Sequence, residues 1–186
     1  MDLPHVQKIL EQAGVVFSAG LSTDEIQQVE HIFSFRFPPD LAAFLSQGLP
    51  VSHGFVDWRR GECPPIRDSM DWPFDGLCYD IEYNSFWVDT WGKRPEKLGD
   101  CFRIAGEAIA QAPTLIPICG HRFLPDHPHE AGSPVFSVYQ GDVRYYGYDL
   151  WDYLEHELGC RFGKKRPEPE DGPGQIPFWS DLVAIA

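Results

Sequence analysis

One stretch of the sequence concentrates the residue types that bind metals or transfer protons. Three of the seven histidines fall between Gly120 and Ser133, together with carboxylates. Zinc binds imidazole and carboxylate groups, so a loop that brought these side chains together would form a metal site and predict a metal-dependent enzyme. The candidate ligands are His121, Asp126, His127 and His129, with Glu130 beside them.

A structural interpretation of the same stretch competes with the metal site. The spacing of the histidines matches no standard motif such as HExxH. Pro125 and Pro128 stiffen the segment. Side chains such as His121 and Arg122 can also hydrogen-bond to nearby backbone. We therefore predict a polar surface loop without a cofactor, and we keep the metal site as the alternative.

A second group of residues alternates acids with aromatic rings between residues 57 and 91. At protein interfaces, rings supply contact area and carboxylates select basic partners. The same alternation fits rings that pack in the core while the acids cover the opposite, solvated face. The candidate partner-binding residues are Asp57, Trp58, Asp71, Trp72, Asp75, Asp80, Glu82, Trp87 and Asp89.

The sequence contains no recognised pairing of a nucleophile with a base. Gly132-Ser133-Pro134 is not a nucleophile elbow, and no glycine-rich phosphate loop precedes a predicted helix. Cys119, inside an apolar run, is typical of a small core residue. These observations favour a non-catalytic protein, although catalytic groups need be neighbours only in space.

The net charge of the chain is -13. Binding to a nucleic-acid backbone requires clustered Lys and Arg, so this charge disfavours nucleic acid, and it disfavours anionic membrane surfaces as well. It favours a basic protein partner, which it would also attract over a distance. Solubility alone can explain an acidic composition equally well.

Length and cysteine usage indicate one reduced, intracellular domain. A chain of 186 residues with 43% hydrophobic content is long enough for one well-buried core and short for two. The five cysteines form no CxxC pair, which favours a cytoplasmic protein without disulfides. The N-terminus lacks a signal-peptide pattern, and no apolar stretch is long enough to span a membrane.

The densest β-forming runs lie between Pro113 and Tyr148. The runs Pro134 to Tyr139 and Val143 to Tyr146 flank Gln140-Gly141-Asp142 and predict a hairpin. We expect the strand Leu115 to Ile118 to lie beside this hairpin. The fold class is therefore α+β, with a central, mostly antiparallel sheet flanked by helices.

Apolar spacing and capping residues predict the helices. Ser22 and Glu25 form a capping box at the start of one of them. The aromatic stretch from Pro64 to Trp91 favours short helices, and residues 51 to 59 fit a strand or an irregular edge. The other predicted helices cover residues 4–13, 39–47, 97–112 and 149–158.

One domain is expected to span residues 1–186. Within it, the Pro/Gly-rich segment 163–175 is predicted to be a surface excursion. The apolar segment 176–186 is predicted to pack back on the domain.

Two groups of segments resemble the Smi1/Knr4 family, also called the SUKH superfamily. Gly20 to Ile26 and Phe37 to Leu45 resemble its opening pattern of a capped helix and a Pro-Pro-Asp turn into a second helix. Leu115 to Ile118, Pro134 to Tyr139 and the helix from Asp149 to Leu158 are similar to its strands and closing helix. The resemblance covers most of residues 15–158. The aromatic block at 72–95, the histidine loop and the tail depart from the family pattern and suggest a bacterial subgroup.

The resemblance implies an α+β domain that works by binding. Many bacterial members are immunity proteins that neutralise a polymorphic toxin, often a nuclease, and fungal members are regulatory interaction proteins. The family has no catalytic motif that could be transferred to this chain. We expect an immunity protein that covers a basic, nuclease-type toxin. The alternatives are a metal-dependent enzyme using the His121–His129 loop and a regulatory interaction protein without a toxin partner.

Overall fold

Helices and antiparallel strands make up the fold, as the α+β prediction requires. The computed structural model describes residues 1–52, 54–163, 170 and 172–185. The helices are α1 (Leu3–Gln12), α2 (Thr23–Phe33), α3 (Pro39–Gln47), α4 (Pro64–Tyr83), α5 (Leu98–Ile109), α6 (Leu150–Glu157) and α7 (Trp179–Val183). The strands are β1 (Phe17–Ala19), β2 (Gly48–Pro50), β3 (Leu115–Cys119), β4 (Arg122–Pro125), β5 (Val135–Tyr139) and β6 (Asp142–Gly147).

The central sheet is antiparallel, with strand order β3-β4-β5-β6. The β5–β6 hairpin is confirmed, with Tyr139 paired to Asp142. The predicted position of the Leu115–Ile118 strand directly beside this hairpin is wrong, because β4 lies between them. This four-residue strand was not predicted because polar residues surround it in the sequence. Its Phe123 and Leu124 side chains are both fully buried. Adjacent strand residues point to opposite faces, so both faces of the sheet are covered here.

The N-terminal helices begin where their capping residues predict. The Ser22 hydroxyl accepts a hydrogen bond from the Glu25 backbone N–H (3.2 Å), and the Glu25 carboxylate accepts one from the Ser22 N–H (2.8 Å). Helix α3 begins at Pro39, where a missing N–H costs nothing. The buried side chains of α1, Val6 and Leu10, pack in the same apolar cluster as those of α3.

Helix α4 is one continuous helix of 20 residues, so the prediction of short helices is wrong. Pro73 lies inside it, which normally costs about 3 kcal/mol or more. Ile66, Leu77 and Ile81 lie on the same side of the helix as Pro73 and are buried. Burying each of these side chains is worth about 1.5–3 kcal/mol, so together they outweigh the proline.

The region between β2 and α4 was predicted to be a strand or an irregular edge, and it is irregular. Phe55 makes an isolated bridge to Cys119 of β3. Trp58–Arg60 then forms a single turn of 3-10 helix. Trp58 is only 2% exposed and packs its ring on Phe35 and Phe37.

The C-terminal segment packs on the four-stranded sheet, as its apolar composition predicted. Ile176, Trp179 and Leu182 are buried in the cluster that contains Phe136 and Val143 of the sheet. The Trp179 indole N–H donates to the Pro113 carbonyl at 2.7 Å. Most of the predicted surface excursion, residues 164–169 and 171, lies outside the described residues. None of the described helices combines the length and apolar composition that a membrane crossing needs.

Two glycines leave room for the contact between α4 and the β5–β6 turn, and at Gly76 the two backbones themselves meet. A Cβ atom on Gly76 would lie 2.8 Å from the Cα of Gln140, and one on Gly141 would lie 2.9 Å from the Phe86 ring. The Asp80 carboxylate of α4 accepts a hydrogen bond from the Gly141 N–H at 2.7 Å. The helix is therefore held against the turn by a close contact in which neither glycine has room for a Cβ atom.

The substitution Gly76→Ala should destabilise the fold by about 1–3 kcal/mol, because the new methyl group meets backbone that cannot move aside. Urea unfolding measures this change. Gly99→Ala in α5 is the matched control, since a Cβ there meets no atom within 4 Å. The control should be neutral or stabilising by about 0.4–1 kcal/mol. Equal stability of the two variants would show that the close approach is not a constraint.

Arg59 ties the 3-10 turn to the start of α2. Its guanidinium donates to the Glu25 carboxylate at 2.7 Å and to the carbonyls of Ala19 and Gly20, each at 2.9 Å. The hydrogen bond from Arg59, followed by those from Ser22, lowers the pKa of Glu25 from 4.5 to about 2. The ion pair and the capping box therefore share one carboxylate.

Acid should weaken the fold through Glu25. Between pH 4.5 and about 2 the unfolded chain binds a proton at this position that the folded chain does not. The contribution of Glu25 is therefore complete above pH 4.5 and is lost as the pH falls toward 2. Glu25→Gln should show a smaller loss of stability than the parent over this window, measured by urea unfolding at each pH. Glu11→Gln, at a carboxylate that accepts from the neutral Gln7 amide, should keep the parent's profile.

Candidate protein-binding surface

One side of α4 is exposed and carries acids and aromatic rings in line. Successive helical residues are about 100° apart, which places residues 68, 72, 75, 79 and 82 on one side of the helix. Trp72 is 42% exposed, Tyr79 48% and Tyr83 64%. We call this surface the α4 face, and its residues are Asp68, Asp71, Trp72, Asp75, Tyr79, Glu82 and Tyr83.

The end of β5 extends the α4 face with one more ring. Tyr139 is 54% exposed, and its ring centroid lies 6.0 Å from that of Trp72. The Trp72 indole N–H donates to the Val138 carbonyl at 2.9 Å, which fixes this ring to the sheet. Trp72 and Tyr139 therefore form a ridge that α4 and β5 build together.

Two recesses flank this ridge. The first has a volume of about 370 Å³ and is lined by Asp68, Ser69, Trp72, Gly120, His121 and Tyr139. The second has a volume of about 260 Å³ and is lined by Trp72, Asp75, Gly76, Tyr79, Tyr139 and Gln140. Each recess thus combines the two ridge rings with one carboxylate.

Among the residues that the structure describes, the carboxylates of the α4 face form no salt bridge. This holds for Asp68, Asp71 and Asp75. The pKa of the Cys78 thiol is raised by burial and then by the charge of Asp75. A hydrogen bond to Glu82 raises the pKa of the Tyr83 hydroxyl. The surface therefore presents uncompensated negative charge next to exposed rings.

His121 forms the far wall of the first recess. Its ring lies 5.9 Å from that of Tyr139 in an edge-on arrangement. Burial, and then the charge of Arg122, lowers the pKa of His121. Near neutral pH the ring is therefore uncharged and adds no cation to the recess.

Several predicted partner-binding residues lie elsewhere. Trp58 is wrong as a surface anchor, because three phenylalanine rings enclose it. The prediction that Asp80 binds a partner is also wrong. Its carboxylate is buried and accepts hydrogen bonds from the Gly141 N–H and the Asn84 side chain. Half-buried Asp57 precedes the 3-10 turn, outside α4.

Trp87 and Asp89 belong to the segment that follows α4. The Trp87 indole N–H donates to the Gly92 carbonyl at 2.7 Å, and the ring packs edge-on against Trp91. Asp89 begins a 3-10 turn and is exposed.

Of the predicted residues, the structure brings together Asp71, Trp72, Asp75 and Glu82 on the α4 face.

The candidate metal ligands of the histidine loop lie in different surroundings. Asp126 accepts a hydrogen bond from the Thr114 N–H at 2.8 Å and lies 3.0 Å from the His127 ring nitrogen. The His129 ring nitrogen lies 3.1 Å from the Phe37 carbonyl. His121 faces the first recess instead. Across the described ranges, no three His, Cys, Asp or Glu side chains are arranged to hold a metal ion.

Asp40 fastens the same loop to the start of α3. Its carboxylate accepts hydrogen bonds from the Gly132 and Leu41 N–H groups, each at 3.0 Å. Burial, only partly offset by these bonds, raises the pKa of Asp40. The loop is therefore fastened to the start of α3. Arg122 donates to the Ser137 hydroxyl at 3.0 Å and His121 packs on the Tyr139 ring, where the sequence suggested hydrogen bonds to nearby backbone.

Sequence reasoning did not select Asp68, Tyr79, Tyr83 or Tyr139 for the surface, although Tyr79 and Tyr83 belong to the alternating acids and rings between residues 57 and 91. The first three have a signal in the sequence, because residues 68, 72, 75, 79 and 83 repeat at helical spacing. The prediction of several short helices for this stretch did not place these residues on one continuous helix face. Tyr139 has no local signal, since its place beside Trp72 depends on how the sheet packs against α4.

Comparison of the chain with protein-family models, with curated proteins and with solved structures found no match. The resemblance to the Smi1/Knr4 family therefore rests on the segments quoted above and stays a prediction.

The two tryptophans should respond differently to truncation. Trp72→Ala should cost about 2 kcal/mol, since it removes one hydrogen bond and a ring that is 42% exposed, each worth about 1 kcal/mol. Trp58→Ala should cost about 3–5 kcal/mol, because it empties the centre of a ring cluster. Chemical denaturation measures both values. A loss from Trp72→Ala as large as that from Trp58→Ala would mean that the ridge is part of the core.

Proposed function

We propose that this protein is a non-catalytic binding domain that docks on a basic protein partner through its α4 face. The observation that carries the proposal is the exposed ridge of Trp72 and Tyr139 between two recesses. Each recess contains a carboxylate that forms no salt bridge within the described part of the chain. Rings of this kind are typical interface anchors because they bury a large area with few rotatable bonds.

The charge distribution supports a basic partner in particular. The net charge of -13 creates a long-range field, and the carboxylates of the α4 face concentrate it beside the anchor rings. Such a field speeds encounter with a positive surface and rejects negative ones. Affinity would then come from the rings, while rate and selectivity would come from the acids.

The specific role that we propose is that of an immunity protein. The family resemblance points to toxin neutralisation, and a nuclease-type toxin would carry the basic surface that the α4 face complements. Neutralisation would work by covering that surface, without breaking or forming bonds. A regulatory domain that binds another basic protein would use the same surface, and the identity of the partner distinguishes the two.

The partner can be sought by co-expression with the product of the adjacent gene, followed by co-purification and titration calorimetry. The double variant Asp71→Asn/Asp75→Asn should weaken the complex about tenfold at low salt, because it removes two uncompensated charges from the interface. The loss should shrink in high salt, where surface charges are screened.

A matched variant separates local from overall charge. Glu11→Gln/Glu130→Gln changes the net charge by the same amount, but at exposed residues in α1 and in the loop before β5. It should leave affinity almost unchanged. Equal weakening by both double variants would contradict docking through the α4 face, and a complex that is insensitive to salt would contradict the electrostatic mechanism.

A further inference from the structure

We propose that the α4 face receives an α-helix of the partner that carries two basic side chains two helical turns apart. This inference rests on the proposed function and specifies the form of the partner's binding segment. The basis is the position of Asp68 and Asp75, one in each recess, on opposite sides of the ridge formed by Trp72 and Tyr139.

The spacing of the two carboxylates sets the spacing of the cations. Asp68 and Asp75 are seven residues apart in one continuous helix, which separates their backbones by about 10.5 Å at 1.5 Å per residue. Seven residues also come within about 20° of two full turns, so both side chains leave the helix on the same side. A partner must therefore present two positive groups about 10 Å apart on one face.

A helix meets this requirement and an extended strand does not. Residues i and i+7 of a helix lie about 10.5 Å apart on one side. In a strand, residues on one face are about 6.6 or 13 Å apart, and the residue at about 10 Å points to the opposite face. A helix lying along α4 would match both carboxylates without distortion.

Arginine fits the recesses better than lysine. A guanidinium group can pair with a carboxylate in the plane of the group while it stacks on an aromatic ring. Each recess offers both kinds of contact, with Asp68 or Asp75 beside the rings of Trp72 and Tyr139. The uncharged His121 ring at the far wall of the first recess does not repel the cation.

The test uses synthetic peptides and the 186-residue chain. The first peptide is an alanine-rich helix of about 20 residues, long enough to be helical in water, with two arginines seven residues apart. The second has the same composition with the arginines five residues apart, which places them about 140° apart around the helix. The third is a proline-rich peptide with arginines three residues apart, a spacing of about 9.3 Å. Titration calorimetry at low salt measures each affinity.

The first peptide should bind about tenfold more tightly than either of the others. Asp68→Asn and Asp75→Asn should each remove most of that preference, and Trp72→Ala should abolish it. Glu11→Gln should preserve it. Equal affinity for the two helical peptides, tighter binding of the proline-rich peptide, or no binding of any peptide would each overturn the inference.

Failure here is distinguishable from failure of the proposed function. If the complex from co-expression is weakened by Asp71→Asn/Asp75→Asn while the peptides bind equally, the α4 face is the docking surface but its ligand is not this helix. If that complex is insensitive to variants of the α4 face, the docking surface itself is wrong.

Discussion

The contact between α4 and the β5–β6 turn is the constraint on which the arrangement of the surface depends. Gly76 allows the backbone of α4 to approach the backbone of Gln140, and the Asp80 carboxylate accepts a hydrogen bond from the Gly141 N–H beside it. A side chain at Gly76 would push the helix away from the turn. Because the approach is so close, Trp72 reaches the Val138 carbonyl, and its ring comes to lie beside Tyr139.

Carboxylates serve two different purposes in this acidic chain. Asp40, Asp80 and Asp126 are buried and accept hydrogen bonds from backbone N–H groups of distant segments. Such groups stabilise the fold because each satisfies a donor that would otherwise be buried without a partner. Asp68 and Asp75 instead line recesses on the α4 face and form no salt bridge among the described residues. The acidic residues of this chain therefore include buried carboxylates that stabilise the fold and surface carboxylates that can attract a partner.

The histidine loop shows how one residue pattern can support opposite interpretations. A metal site requires side chains that converge on one point, whereas here Asp126 and His129 contact the backbone of different segments and His121 faces a recess. The loop thereby connects the start of α3 to the sheet. The hydrogen bonds of Asp126 and His129 are part of that connection.

The sequence alone determined the elements whose signals are contiguous. The Ser22–Glu25 capping box, Pro39 at the start of α3 and the Gln140-Gly141 turn each act on neighbouring backbone, so their effects were predictable locally. The tertiary structure alone decided that α4 continues through Pro73 and that Trp58 is enclosed, because both depend on burial against residues far away in the chain. It also decided that Tyr139 completes the ridge with Trp72. Aromatic and acidic residues are compatible with either core or surface, and only the packing of α4 on the sheet determines which side of each ring faces solvent.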